Sequence, residues 1–223
     1  MTAEEAFKYC ENIARKHYEN FPVGLFVPKK SRKHVYCIYA FARSADDIAD
    51  NEIIPVKERI QELENYMLLL EECYSGSPSE AIFIALKETI KEYEIPKELL
   101  LNLLKAFMMD LGKTRYKTFD EILFYCTHSA NPVGRLILIL HSKTENNTFE
   151  YSDSICAALQ ITNFMQDISL DILKDRIYFP LDDFEKYNYS EMDFMNKKAN
   201  PAFEFILNHQ IERTEDLYAH GSN

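Results

Sequence analysis

The chain has 223 residues, 47% of them apolar, only five glycines, and a formal net charge of −11. That length accommodates one domain with a sizeable core, and so little glycine at that apolar content excludes a loop-rich or disordered chain. The negative balance disfavours nucleic acid or anionic lipid as a bulk partner, so an anionic substrate must be met by local cations.

The chain opens on an amphipathic helical pattern that already carries Glu4 and Glu5, unlike the start of a signal peptide. From Val35 to Ile48 apolar side chains surround the helix instead of striping it, which marks a buried helix. Within it, "YAFARSADDIAD" (39 to 50) places Asp46 and Asp50 four apart, on one face. Two ionised carboxylates turned toward an interior are costly unless a cation compensates. The plain alternative is a helix that surfaces at Ala45 with solvated aspartates. Breaks are expected at "SGSPSE" (75 to 80), at Pro96, around "GKTRYKTFD" (112 to 120) and at "SKTENNTFE" (142 to 150). Met67 to Leu70 and Met108-Met109 read as core filling. A further helix is predicted over "LQITNFMQDISLDILKDRIYFP" (159 to 180), with Pro180 ending it or lying beyond it. Gln160, Asn163, Asp167, Asp171 and Asp175 are spaced three, four, four and four, so they share a face.

A solvated face would mix Lys with Glu, whereas this one offers only amides and aspartates until Lys174. Carboxylates and an amide carbonyl suit Mg²⁺, with water and phosphate oxygens completing its shell. Two such faces opposed across a bundle would clamp a diphosphate. Asp46, Asp50, Asn163, Asp167 and Asp171 are the expected metal ligands, with the four aspartates serving catalysis. Arg43 and Arg176 are the expected phosphate cations, because guanidinium forks suit phosphate oxygens. Tyr39, Phe21, Phe164 and Tyr125 are candidate aromatic faces for a positively charged group, although packing is the commoner role of each alone. His17 and His128 are candidate acid/base groups. The glycines stand singly, so no phosphate loop or dinucleotide fingerprint is present. Cys10, Cys37, Cys73, Cys126 and Cys156 show no paired spacing and read as reduced core thiols of a cytoplasmic protein. The longest apolar run, "LILIL" (136 to 140), is far short of the roughly 20 residues a bilayer needs.

The two acidic segments, together with "HYENFPV" (17 to 23) and "YCTHSANPVGRL" (125 to 136), resemble the squalene/phytoene synthase family. The latter two stretches are most similar to its bacterial hydroxysqualene synthase branch. The resemblance implies an all-α isoprenoid-synthase bundle with a central cavity, a single domain over 1 to 223 lacking the family's last helices. It implies a Mg²⁺-dependent enzyme acting on presqualene or farnesyl diphosphate, with water capture giving hydroxysqualene. By the same resemblance His17, Tyr18, Asn20, Phe21, Tyr39, Arg43, Gln160, Gln166 and Tyr178 fall where the family binds its diphosphate. Family members that start from free prenyl diphosphates carry cations where this chain has Glu19 and Gln166, so the resemblance favours an enzyme handling one diphosphate. A cavity left open would be covered by a membrane surface or by a second copy, hence the expectation of peripheral membrane association or a homodimer. The alternatives are a synthase coupling two prenyl diphosphates, a head-to-tail prenyltransferase and a non-catalytic isoprenoid-binding protein. A di-iron bundle would need Glu-x-x-His pairs, and none of the six histidines follows a Glu by three residues.

Overall fold

The computed structural model describes residues 1–16, 27–145 and 147–222. The fold is all-α apart from one pair of short strands, and the chain divides into two compact units, 1–111 with 136–144, and 112–135 with 145–223.

The first unit contains α1 (Ala3–Lys16), α2 (Lys29–Ala49), α3 (Val56–Ser75), α4 (Ala81–Tyr93), α5 (Lys97–Asp110) and the second half of α7 (Asn131–Leu140). Pro28, Pro55 and Pro96 stand immediately before α2, α3 and α5 in extended conformation, with φ of −53°, −55° and −62°. A proline lacks the N–H an interior turn needs and disfavours helix in the residue before it, so each fixes where its helix begins. The core holds an aromatic trio: Phe41 lies 5.4 Å from Tyr66 and 6.1 Å from Phe83, and Tyr66 lies 4.8 Å from Phe83. The Tyr66 hydroxyl donates to the Phe41 carbonyl at 3.1 Å, which satisfies its polar end. Leu63, Leu86, Leu100 and Leu104 are fully buried around the trio, and Leu136 and Leu140 join them. Cys10, Cys37 and Cys73 are buried free thiols, as expected, and burial pushes Cys73 up to about 12. Met67 and Met108 pack on this core, whereas Leu68 is 65% exposed and is not core filling.

The second unit contains β1 (Arg115–Tyr116), α6 (Phe119–Ser129), the first half of α7, α8 (Thr148–Gln166), α9 (Ile168–Asp171), a 3-10 turn (Ile172–Lys174) and β2 (Ile177–Pro180). It ends with α10 (Leu181–Lys186), α11 (Glu191–Met195) and α12 (Pro201–Gly221). β1 and β2 pair in parallel, with Arg115 opposite Ile177 and Tyr116 opposite Pro180. α12 is capped by the Asn200 side chain, which accepts from the Phe203 N–H, and carries Pro201 in its first turn. α12 packs along α8 so tightly that a Cβ at Gly221 would lie 2.6 Å from Ile155. Ile172, Ile177, Phe179, Phe184, Tyr189, Phe194 and Ile206 form the core beneath.

The expected helix over 159 to 180 is not continuous. α8 stops at Gln166, Asp167 caps it, and the chain turns left-handed at Asp175 (φ 53°) before entering β2. The β-branched and aromatic side chains of "RIYFP" favour a strand against Thr114–Tyr116, and this tertiary pairing overrides the helical period. No helix among the described residues is long and apolar enough to cross a membrane.

Candidate active site

The first acidic segment forms the last turns of α2. Asp46 and Asp50 are on one face as the spacing requires, but Asp46 is about a third exposed and Asp50 is exposed. The expectation of carboxylates buried in the interior is therefore corrected: α2 surfaces as it ends. Arg43 supplies the local cation, with Nη1 3.1 Å from Asp46 Oδ2 and Nη2 2.6 Å from Asp47 Oδ1. Its Nε is buried without a hydrogen-bond partner among the described residues. Tyr39, one turn before Arg43, is half-buried.

Among the described residues, the deeply buried aspartate lies outside both motifs. Asp183, 3% exposed, accepts from Arg213 Nη1 at 2.5 Å and Nη2 at 3.2 Å, so its charge is met by a fork. Nothing in its sequence neighbourhood "PLDDFE" distinguishes it from the half-buried Asp182 or the exposed Glu185.

The second segment is bent into three pieces. Gln160 is half-buried and Asn163 and Gln166 are exposed on α8, Asp167 sits at the break, and Asp171 closes α9. The Asp167 carbonyl accepts from the Leu170 and Asp171 N–H groups, so helical bonding resumes at once and keeps Asp167 and Asp171 a turn apart. The Asp171 carbonyl then accepts from the Arg176 N–H at 2.9 Å and the Ile172 carbonyl from the Asp175 N–H at 3.1 Å. This is a Schellman ending with Asp175 in the position glycine normally fills. An aspartate there costs on the order of 1 kcal/mol in backbone conformation. Arg115 of β1 offsets that cost. Its Nη1 donates to the Asp175 carbonyl, its Nη2 lies 2.7 Å from Asp175 Oδ1, and its Nε lies 2.8 Å from Glu191 Oε2. Asp175 thus leaves the acidic face that the spacing predicted.

Tyr178 of β2 is buried and stacks on Phe164 with centroids 3.9 Å apart and rings parallel. Tyr125 lies 6.0 Å from Phe164 and 5.8 Å from Tyr178, and Tyr116 completes the cluster, 5.5 Å from Tyr178. Three of these four were candidates from sequence; Tyr116 was read only as part of a helix break, and its adjacency to Tyr178 comes from the β1–β2 pairing. His128, half-buried, has Nδ1 3.0 Å from the Phe124 carbonyl and 3.0 Å from Thr127 Oγ1, a locally satisfied histidine. Gln166 lines a pocket of about 240 Å³ with Tyr189, Phe194, Phe203, Lys197 and Lys198. The Lys198 ammonium is itself held by Asp193 at 3.0 Å. His17, Tyr18, Glu19, Asn20 and Phe21 lie outside the described residues.

The donor chemistry fits a hard cation. Among the described residues no three His, Cys, Asp or Glu side chains converge into a protein-only metal cage. Open carboxylates in pairs are nonetheless what Mg²⁺ uses, since it keeps waters and takes phosphate oxygens in place of a complete protein shell.

The model of the squalene/phytoene synthase family matches residues 14–223. The chain is 34% identical to the hydroxysqualene synthase of Rhodopseudomonas palustris over 205 residues, 91% of this chain and 69% of that protein. It is 27% identical to the phytoene synthase of Arthrospira platensis over 97% of this chain and 74% of that one. The crystal structure of the squalene synthase HpnC from Alicyclobacillus acidocaldarius superposes with a TM-score of 0.93 at 34% identity, covering 98% of this chain and 82% of that one. A family match spanning nearly the whole chain, with relatives above 30% identity and the acidic segments on helix ends, shows that the chain is an enzyme of the squalene/phytoene synthase family.

Proposed function

We propose that the protein ionises presqualene diphosphate with the help of Mg²⁺ and lets water capture the rearranged cation, releasing hydroxysqualene and diphosphate. The observation that carries this reading is the pair of oxygen-only ligand sets, Asp46 with Asp50 and Asn163 with Asp167 and Asp171, in a chain 34% identical to a hydroxysqualene synthase. Mg²⁺ held by these side chains would neutralise charge growing on the departing diphosphate. Arg43 and Arg176 supply the guanidiniums for non-bridging phosphate oxygens, Arg43 through the Nη donors that face Asp46 and Asp47. Phe164 and Tyr178 cover one face of each other, so with Tyr125 they would offer the hydrocarbon an aromatic wall through the faces and edges left over, without offering a base.

A second reading is supported by the structural relative named squalene synthase: coupling of two farnesyl diphosphates before the same ionisation. One experiment separates them. Presqualene diphosphate in ¹⁸O-water with Mg²⁺ and no NADPH should yield an ¹⁸O-labelled C30 alcohol, while farnesyl diphosphate alone is consumed slowly. Rapid consumption of farnesyl diphosphate, or squalene made only with NADPH, would transfer the assignment to the second reading.

A further inference from the structure

We propose that Arg115 is a positioning residue for the second acidic segment: it holds Asp175 left-handed and so sets where Asp171 and Arg176 stand. The proposal rests on the functional reading only in giving those two residues their roles. Asp175 is the one residue of the Schellman ending that must have positive φ (53°), and it lies between Asp171 and Arg176 in a span of six residues. Asp171 offers its carbonyl and Arg176 its N–H to one hydrogen bond of 2.9 Å. A change of φ at Asp175 breaks that bond and turns the two side chains apart. The two Schellman bonds hold this dihedral locally. A second hold comes from residue 115, 60 positions earlier, whose guanidinium grips both the carbonyl and the carboxylate of Asp175.

Two further contacts make the grip rigid. Arg115 lies in β1, where the Ile177 N–H donates to the Thr114 carbonyl at 3.0 Å, so the backbones on both sides of the grip are already paired. Glu191 at the start of α11 takes the Arg115 Nε, which fixes the plane of the guanidinium. Arg115 is three-quarters buried at its side chain, while the Asp175 side chain is 72% exposed. A simple surface ion pair would leave both ends in water. Lysine cannot reproduce this arrangement, because one ammonium cannot span Asp175 and Glu191 as a planar fork does.

The test exploits glycine's tolerance of positive φ. Arg115→Ala should lower turnover of the isoprenoid diphosphate about tenfold or more and raise the Mg²⁺ concentration needed for half-maximal rate, the usual size of a supporting-residue effect. Arg115→Lys should fall close to Arg115→Ala. Asp175→Gly should be nearly neutral alone and should restore most of the lost activity in the Arg115→Ala background, because the turn no longer needs a clamp. Hydrogen exchange over 171–177 reads the same event without any reaction. It should quicken about tenfold or more in Arg115→Ala and return toward the parental rate in the double variant. Unchanged exchange in both Arg115 variants overturns the clamp. Quickened exchange with unaltered rate and Mg²⁺ requirement overturns the positioning role, as does a double variant no more active than Arg115→Ala. Should the parent protein consume no isoprenoid diphosphate at all, the functional reading fails while the exchange measurement still decides the clamp.

Discussion

Asp46 and Asp183 carry the same side chain and should respond oppositely to the same change. Asp46 is part-exposed and paired with an Arg43 that also serves Asp47, an arrangement worth about 0–1 kcal/mol. Asp46→Asn should therefore move the melting temperature by only a few degrees, while, on the proposed reading, turnover falls on the order of 10²-fold because the Mg²⁺ that would meet the developing diphosphate charge loses a ligand. Asp183→Asn leaves a forked Arg213 without its anion. It should cost roughly 3 kcal/mol and lower the melting temperature visibly, with kcat per folded molecule preserved. Paired thermal melts and steady-state rates check both, and an Asp46→Asn enzyme with near-normal turnover at saturating Mg²⁺ would remove Asp46 from the ligand set.

Elements meet in this protein through small residues and one buried imidazole. A Cβ on Gly134 of α7 would lie 2.5 Å from both Cys156 Sγ and Ser152 Oγ of α8. Gly134→Ala should therefore cost about 1–3 kcal/mol by overpacking, measurable by urea denaturation, and Ser152→Ala with Cys156→Ala should recover part of it. In the first unit, His34 of α2 is fully buried between Phe7 of α1 and Tyr93 of α4, with Nδ1 3.0 Å from Thr89 Oγ1 and Nε2 3.3 Å from Glu92 Oε2. Burial holds its pKa below the ordinary histidine value, Glu92 opposing and Lys33 adding to the shift. The unfolded chain takes up the proton near pH ~6.5 and the folded chain only lower. The stability from a neutral His34 is therefore complete above that pH and is lost as pH falls through the lowered folded value. The melting temperature should drop more between pH 7.5 and 5.5 in the parent than in His34→Gln, which keeps a partner for Thr89 without titrating. Equal slopes would exclude His34 as the source.

For the whole molecule, the two acidic segments belong to different units, α2 in one and α8–α9 in the other. If both serve one diphosphate, their losses are not additive: Asp46→Asn with Asp167→Asn should be little slower than the poorer single variant, because residues that act as a unit fail as a unit. Rates that multiply would mean two independent sites, and single-turnover kinetics on the three variants distinguish the cases. The sequence by itself determined the all-α class, the unpaired cysteines, the break at Pro96 and the two segments in which oxygen-bearing side chains recur at helical spacing. These depend on local spacing, composition and ring chemistry, which operate within a few residues. The break at Asp167, the strand at Ile177, the left-handed Asp175 and the exposure of Asp46 and Asp50 were decided only by tertiary structure. The turn and the strand depend on partners far along the chain: Arg115 lies 60 residues from Asp175, and Thr114–Tyr116 must be in place before "RIYFP" has a strand to pair with. A helical period read along one segment cannot register such a partner, since competition between an intrahelical and a cross-chain hydrogen bond is settled only once both strands are brought together.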